Sequence, residues 1–319
     1  MKRSSDPLRK DAKKIFLHAV RAADPYDIVL SQVAIRGRNL RIGDFKFPVP
    51  KDPRIWVVGA GKASAAMALA LEKILGPRIA GGLLNVKYGH AQKLKRIRLK
   101  EAGHPIPDEQ GLAGAKEMIG ILKGLGQEDL VIVLLSGGGS ALLPGPAEGI
   151  TLEEKQATTN LLLGCGATIQ EINAVRKHLS AVKGGGLAAL ASPATVVSLI
   201  LSDVIGDPLD AIASGPTVPD PTTFEDCVRI LNRYDLWGKI PAPVAARIRE
   251  GAEGKIPETL KESDPLFQKV FNVVVGNNTL AIRAARKAAQ NLGYKTIVLS
   301  SLVEGETREV AKVHAAIAK

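Results

Sequence analysis

The sequence predicts an α/β chain: a three-layer, doubly wound and mainly parallel sheet, with a second, smaller α/β domain that reads as truncated. Three observations predict it. Apolar, β-branched runs of strand length alternate with Ala-rich or amphipathic stretches of helix length, as in strands joined by helical crossovers. Several of these runs end in glycines or acidic residues, as strands do where their carboxyl ends open into a ligand-binding crevice. Helix start and stop signals fall between the runs.

In chain order, RIWVVGAG (54 to 61) is the first strand, followed by an Ala-rich helix to Leu75 that Gly76 and Pro77 stop. GGLLNVKYG (81 to 89), DLVIVLLSGGG (129 to 139) and TVVSLILSD (195 to 203) are further strands. Thr151 with Glu154, and Thr168 with Glu171, fit capping boxes. Residues 168 to 188 read as one helix with Ile172, Val175, Leu179 and Val182 on one side. Asn173, Arg176, Lys177, Ser180 and Lys183 share the other, a stripe without acidic residues that is either a solvated face or a grip on an anion. FNVVVGNN (271 to 278) and KTIVLSSL (295 to 302) are the last strands, and Gly293 stops the helix between them. GETREVAKVHAAIAK is a closing amphipathic helix.

Pro, Gly and charged residues cluster over 238 to 268, which divides the chain into 1–255, a Rossmann-like domain, and 256–319, the start of a second α/β domain. Two strands and two helices can hardly bury a core of their own. The second unit is therefore expected to continue past Lys319.

The composition, 45% hydrophobic over 319 residues, is ordinary for a soluble α/β protein. The charged opening MKRSSDPLRKDAKK carries neither a secretory signal nor an anchor, and no later segment is apolar enough to span a bilayer, so a cytoplasmic protein without membrane partners is expected. Cys165 and Cys227 follow no metal or redox spacing and read as two reduced thiols. The net charge of +11 is densest in HAQKLKRIRLK (90 to 100), but aromatics are only 4% of the chain and do not interleave with it. Stacking platforms are lacking, so small anions fit this surface better than nucleic acid does. Pairing with further copies of the chain stays open.

The motifs that carry chemistry sit at strand ends. In VVGAGKASAAMA (57 to 68), Gly59 and Gly61 let backbone amides approach an anion at a helix start, and Lys62 is placed to reach a phosphate. Ser64 replaces the third glycine of a dinucleotide fingerprint, and the next strand ends in Lys87 without a carboxylate for a ribose. In LLSGGGSALLPG (134 to 145), Ser136, Gly137, Gly138, Gly139 and Ser140 form a turn with exposed amides suited to carboxylate or phosphate, and no nucleophile elbow surrounds either serine. LSDVIGDPLDAIASGPTVPD (201 to 220) brings Asp203, Asp207, Asp210 and Asp220 after an apolar strand, either as turn and helix caps or as oxygen donors for Mg2+. His104, in AGHPIPDEQG where two prolines fix the loop around it, is the histidine whose setting suggests more than surface or core, and no histidine pair has zinc spacing.

Taken together and in this order, VGAGKA, GHPIPDEQG, LLSGGGSALL, NAVRKHLSAVKGGGLA, LSDVIGDPLDAIASGPT and VVGNNTLAI resemble the glycerate 2-kinases sometimes labelled by the MOFRL signature, over nearly the whole chain from about residue 8. The resemblance implies two α/β domains with the active site between them, and transfer of the γ-phosphoryl of ATP to the 2-hydroxyl of D-glycerate with Mg2+. It implies Lys62 and Asp203 as catalytic positions, with Asp203 and Asp207 toward the metal. Arg176, Lys177, Asn173, Lys183, His104 and the two glycine turns are then candidates for holding carboxylate and phosphates, and Gly276 and Asn277 for nucleotide contact. The family continues into a Gly-Arg-Asn-Gln stretch that this chain does not contain. Two alternatives stay open, a nicotinamide-dependent hydroxypyruvate reductase and a nucleotide-binding fragment without turnover.

Overall fold

The structure is a computed structural model that describes residues 7–49 and 54–318. Helices α1 (Pro7–Ala22) and α2 (Pro25–Gln32) open it, the second capped by Asp24, whose carboxylate accepts the N–H groups of Tyr26 and Asp27. Strands β1 (Val33–Arg36), β2 (Asn39–Ile42) and β3 (Phe45–Pro48) then form a small antiparallel sheet that the sequence reading does not contain. The main domain follows with β4 (Ile55–Ala60), α3 (Ser64–Leu75), β5 (Ile79–Lys87), β6 (Arg98–Ala102), α4 (Glu109–Lys123) and β7 (Leu130–Leu135). After β7 come α5 (Gly139–Leu142), α6 (Leu152–Gly164), α7 (Ile169–His178), α8 (Gly186–Ala191) and β8 (Thr195–Leu201). The chain ends through α9 (Phe224–Arg233), α10 (Ala242–Ala252), β9 (Val270–Gly276), α11 (Asn278–Asn291) and α12 (Thr307–Ile317).

Six strands make one parallel sheet in the order β6-β5-β4-β7-β8-β9. Parallel strands covered on both faces read as continuous apolar runs, and all six residues of β7 are buried. One face packs Ile55, Val57, Ile132 and Leu134 against α2, α3 and the small sheet. The other packs Val58, Ala60, Val131 and Val133 against residues of α4 and α8. A third apolar cluster joins α6, α7, α9 and α10 through Leu162, Val175, Leu231 and Ile248, forming a helical layer beside the sheet. Both expected capping boxes, at Thr151 and Thr168, are present, and Thr223 with Asp226 forms another.

The expectations fail at three places. The stretch 168 to 188 is not one helix: α7 ends at His178, the chain turns through Gly184 and Gly185 at positive φ, and α8 starts anew. This removes the single charged stripe, since Asn173, Lys177 and Lys183 are buried. The basic run at 90 to 100 ends in an edge strand, β6, where Lys100 and Arg98 pair with Glu117 of α4. Residues 295 to 302 form no ladder among the described residues, and Ile297, Leu299 and Leu302 are exposed. A proposed second unit from 256 would share its first strand, β9, with the main sheet, where it pairs with β8. No helix among the described residues is long and apolar enough to cross a membrane.

Candidate active site

The strand order reverses between β4 and β7, because β5 and β6 lie to one side and β8 and β9 to the other. At such a switch point the loops leaving adjacent carboxyl ends diverge and open a crevice. The loop after β4 carries Gly61, Lys62 and Ala63, and the loop after β7 carries Ser136 to Gly139. The two interlock. The Lys62 N–H donates to the Gly137 carbonyl at 2.9 Å, and the Ala63 N–H donates to Ser136 Oγ at 3.0 Å. Gly61 has φ of +148°, and a Cβ there would stand 2.1 Å from Ser136 Oγ, so only glycine permits the lock. Gly59 permits the close approach of β4 to β7 in the same way, its absent Cβ falling 2.1 Å from the Leu134 carbonyl oxygen. Ser136 is thereby buried and committed to the scaffold.

The strand β8 delivers Asp203 to the same place. A Cβ on Gly137 would lie 2.2 Å from Asp203 Oδ2, and one on Gly138 2.7 Å from His104 Cδ2, so both side chains reach the loop because it has none. His104 senses the neighbouring charges: burial, Lys62 and Lys87 pull its pKa down, and Asp203 pulls it up, with a net lowering. At neutral pH its imidazole is therefore uncharged. Lys62, His104 and Asp203 thus converge on one glycine loop at the crevice.

Asp207 and Asn277 meet at the ends of β8 and β9, where the Asn277 amide donates to Asp207 Oδ2 at 2.5 Å. Asn277 also caps α11 by accepting the Leu280 N–H, while Gly276 is packed between Ile28 and Leu201 and accepts the Ser202 N–H. Among the described residues no group of three or more His, Cys, Asp or Glu side chains forms a protein-only metal cage. Asp203 and Asp207 remain as single carboxylates, the donor set that Mg2+ uses when phosphate oxygens complete its shell.

The cations of α7 and the following turn divide by direction. The Lys177 ammonium is buried 3.1 Å from Asp220 and 3.4 Å from Asp210, so it ties the helix to the loop after β8. Lys183 donates to the carbonyls of Ser140 and Ala213, both at 3.1 Å, and Asn173 accepts from Ser214, whose hydroxyl lies 2.9 Å from that of Ser140. These residues brace the β7–α5 loop from behind. Arg176 instead faces a cavity of about 390 Å³, shared with His104, Gly138, Ser140 and Lys155. Sequence reading missed Lys155, because TLEEKQATTN looks like an ordinary amphipathic helix start with a solvated lysine. It also left Asp220 without a partner, since its pairing with Lys177 crosses 43 residues.

Over residues 11–249 the chain matches the family model described as a domain of unknown function, DUF4147. It is 45% identical to a glycerate 2-kinase of Pyrococcus horikoshii over 95% of this chain and 67% of that protein. It is 39% identical to a human glycerate kinase over 99% of this chain and 62% of that protein. A crystal structure of a Thermotoga maritima glycerate kinase superposes with a TM-score of 0.82 at 35% identity, over 97% of this chain and 69% of that one. The chain therefore spans between about three fifths and 70% of the length of these relatives.

Proposed function

Because this chain belongs to the glycerate kinase family, we propose that it transfers the γ-phosphoryl of ATP to the 2-hydroxyl of D-glycerate, giving 2-phosphoglycerate. The observation that supports this reading best is the meeting of Lys62 and Asp203 on the Gly137–Gly138 loop at the switch point. Phosphoryl transfer needs positioning and charge neutralisation more than a covalent nucleophile. The site is built that way, with Ser136 locked in the scaffold and the loop amides next to a lysine and a carboxylate.

In this reading Asp203 accepts a hydrogen bond from the 2-hydroxyl and takes up its proton as that oxygen bonds to the γ-phosphorus and the bond from phosphorus to the bridging oxygen breaks, releasing ADP. Lys62 balances the negative charge on the transferring phosphoryl oxygens. His104 and the amides of Gly137 and Gly138 orient the acceptor, the Gly139 amide being bonded to the Ser136 carbonyl, and Arg176 supplies fixed positive charge beside them. Asp207 and Asn277 lie toward the nucleotide side. Mg2+, when bound, supplies charge neutralisation for the nucleotide phosphates, and Asp203 and Asp207 would hold it. A hydride-transfer reading has less to stand on, because β5 ends in Lys87 where a nicotinamide site places a ribose carboxylate.

The test is ADP release from Mg-ATP by this chain with and without D-glycerate. Glycerate-dependent ADP is expected, and product analysis should place the phosphate on the 2-hydroxyl. Oxidation of NADH or NADPH by hydroxypyruvate in place of ADP release would overturn the reading.

A further inference from the structure

Lys155 is the one buried ammonium of the described residues whose nitrogen has no hydrogen-bond partner. An unpaired buried cation is costly, and proteins retain such groups where a ligand completes them. Lys155 stands in the first turn of α6 and lines, with Arg176, Gln156 and Asn160, one cavity, its nitrogen buried in the wall. No carboxylate relieves this pair: burial alone lowers the Arg176 guanidinium, and burial with Arg176 and Arg247 nearby pulls Lys155 to about 7. Lys183 suffers the same field, from burial and then from Lys155 and Arg176, although two carbonyls hold it. Two basic side chains thus share a cavity of about 390 Å³ that His104, Ser140 and Thr159 line together with apolar Ile106, Pro144 and Leu163.

We infer that Lys155 and Arg176 form an anion subsite and that its ligand is the carboxylate of the acceptor. The assignment to an acceptor rests on the kinase reading above. Its support is the loop that separates the two places. Gly137 abuts Asp203, whereas the next residue, Gly138, abuts His104 and lines the cavity. A short hydroxy acid can therefore seat its carboxylate against Lys155 and present its hydroxyl on the Asp203 side of the same loop. A nucleotide phosphate is the competing ligand, and Asp207 and Asn277, which pair with each other at the ends of β8 and β9, do not line this cavity. Lys155 and Arg176 would then set specificity for an acid over a neutral polyol.

The test compares the wild-type chain with Lys155→Met by calorimetric titration with D-glycerate, glycerol, inorganic phosphate and Mg-ATP, and by thermal unfolding without ligand. D-glycerate affinity should fall by roughly 30-fold or more, the scale for removing one partner of a buried charge pair. Affinity for Mg-ATP should hold, and glycerol should bind neither protein measurably. The unliganded variant should melt no lower than the wild type, because an apolar side chain replaces a desolvated charge. Retained D-glycerate affinity, a loss that falls on Mg-ATP or phosphate instead, or a variant that melts far below the wild type each overturns the subsite. So does a wild-type chain that binds no D-glycerate. If the wild type binds D-glycerate through Lys155 but releases no ADP with it, the subsite stands and the kinase reading falls.

Discussion

Lys177→Met should destabilise the fold by about 3 kcal/mol, the lower end of the cost of breaking a buried ion pair. The size follows from the surroundings. The Lys177 side chain is 2% exposed and that of Asp220 is 0%, with their charged atoms 3.1 Å apart. Methionine fills the same space but leaves the Asp220 carboxylate buried without its cation. Three neutral donors remain, the Thr222 N–H at 3.0 Å, the Thr222 hydroxyl at 2.7 Å and the Thr259 hydroxyl at 3.0 Å, and they keep the loss from reaching the top of the range. His178 does not substitute, because its Nδ1 lies 4.0 Å from Asp220 and is occupied by the Ala174 carbonyl. The second pair, to Asp210, adds little because that carboxylate is 46% exposed. A loss of this size lowers the melting temperature by roughly 4–5 °C in a chain of this length. Urea and thermal unfolding measure it, and Lys177→Met with Asp220→Asn should recover most of the loss, since no orphan charge then remains. Burial raises the Asp220 pKa, but Thr222 and Lys177 outweigh it, so this carboxylate stabilises the fold above its usual range and loses that effect as pH falls. The deficit of Lys177→Met should therefore shrink as pH falls and Asp220 takes up a proton. A variant within about 1 kcal/mol of the wild type would refute the structural role and return Lys177 to the ligand-holding set.

Lys62→Ala should reduce glycerate-dependent ADP formation by roughly 10²–10³-fold with an unchanged circular dichroism spectrum, and an unchanged rate would remove Lys62 from the chemistry. Gly137→Ala places a Cβ 2.2 Å from Asp203 Oδ2, so the carboxylate must move. Turnover should fall roughly 100-fold, the effect of a displacement of about 1 Å, whereas full activity would mean that Asp203 need not touch this loop. Burial opposes the charge of Glu171, yet bonds from Thr168, Arg233 and Tyr234 hold its carboxyl down to about 2. Its contribution is complete above about 4.5 and disappears as pH falls toward 2. Glu171→Gln keeps the capping box and should cost about 1 kcal/mol at pH 7, with the difference in melting temperature vanishing near pH 2.

The main sheet was legible because its strands are long, apolar and punctuated by glycine. RIWVVGAG and DLVIVLLSGGG are readable as strands that end in glycine turns, whereas their pairing at the centre of the sheet is not. What failed depended on neighbours that a local pattern does not contain. The edge strand β6 is too charged to read as a strand, and its lysine and arginine are stabilised by Glu117 of α4. Residues 295 to 302 have strand composition, but composition forms no ladder without a hydrogen-bonding partner beside it. The antiparallel strands β1 to β3 are only four residues each, too short for an alternation to declare itself. Helix periodicity continued through Leu179, yet the glycines beyond it adopt positive φ and redirect the chain. That redirection decides which cation faces the crevice.

Four cations that look alike in sequence thus acquire different work from position alone. Lys177 meets a buried carboxylate and stabilises the fold, while Lys183 meets carbonyls and braces the β7–α5 loop. Lys155 meets no partner and Arg176 lines its cavity, so their cost in the free chain is offset only by a ligand. Burial by itself therefore does not distinguish a structural cation from a binding one. The distinction lies in whether the protein itself completes the charge. Substitution by methionine separates the two cases by sign, lowering the melting temperature at Lys177 but leaving it level or higher at Lys155. If both positions shifted in the same direction, the division between scaffold and ligand-holding cations in this crevice would have to be abandoned.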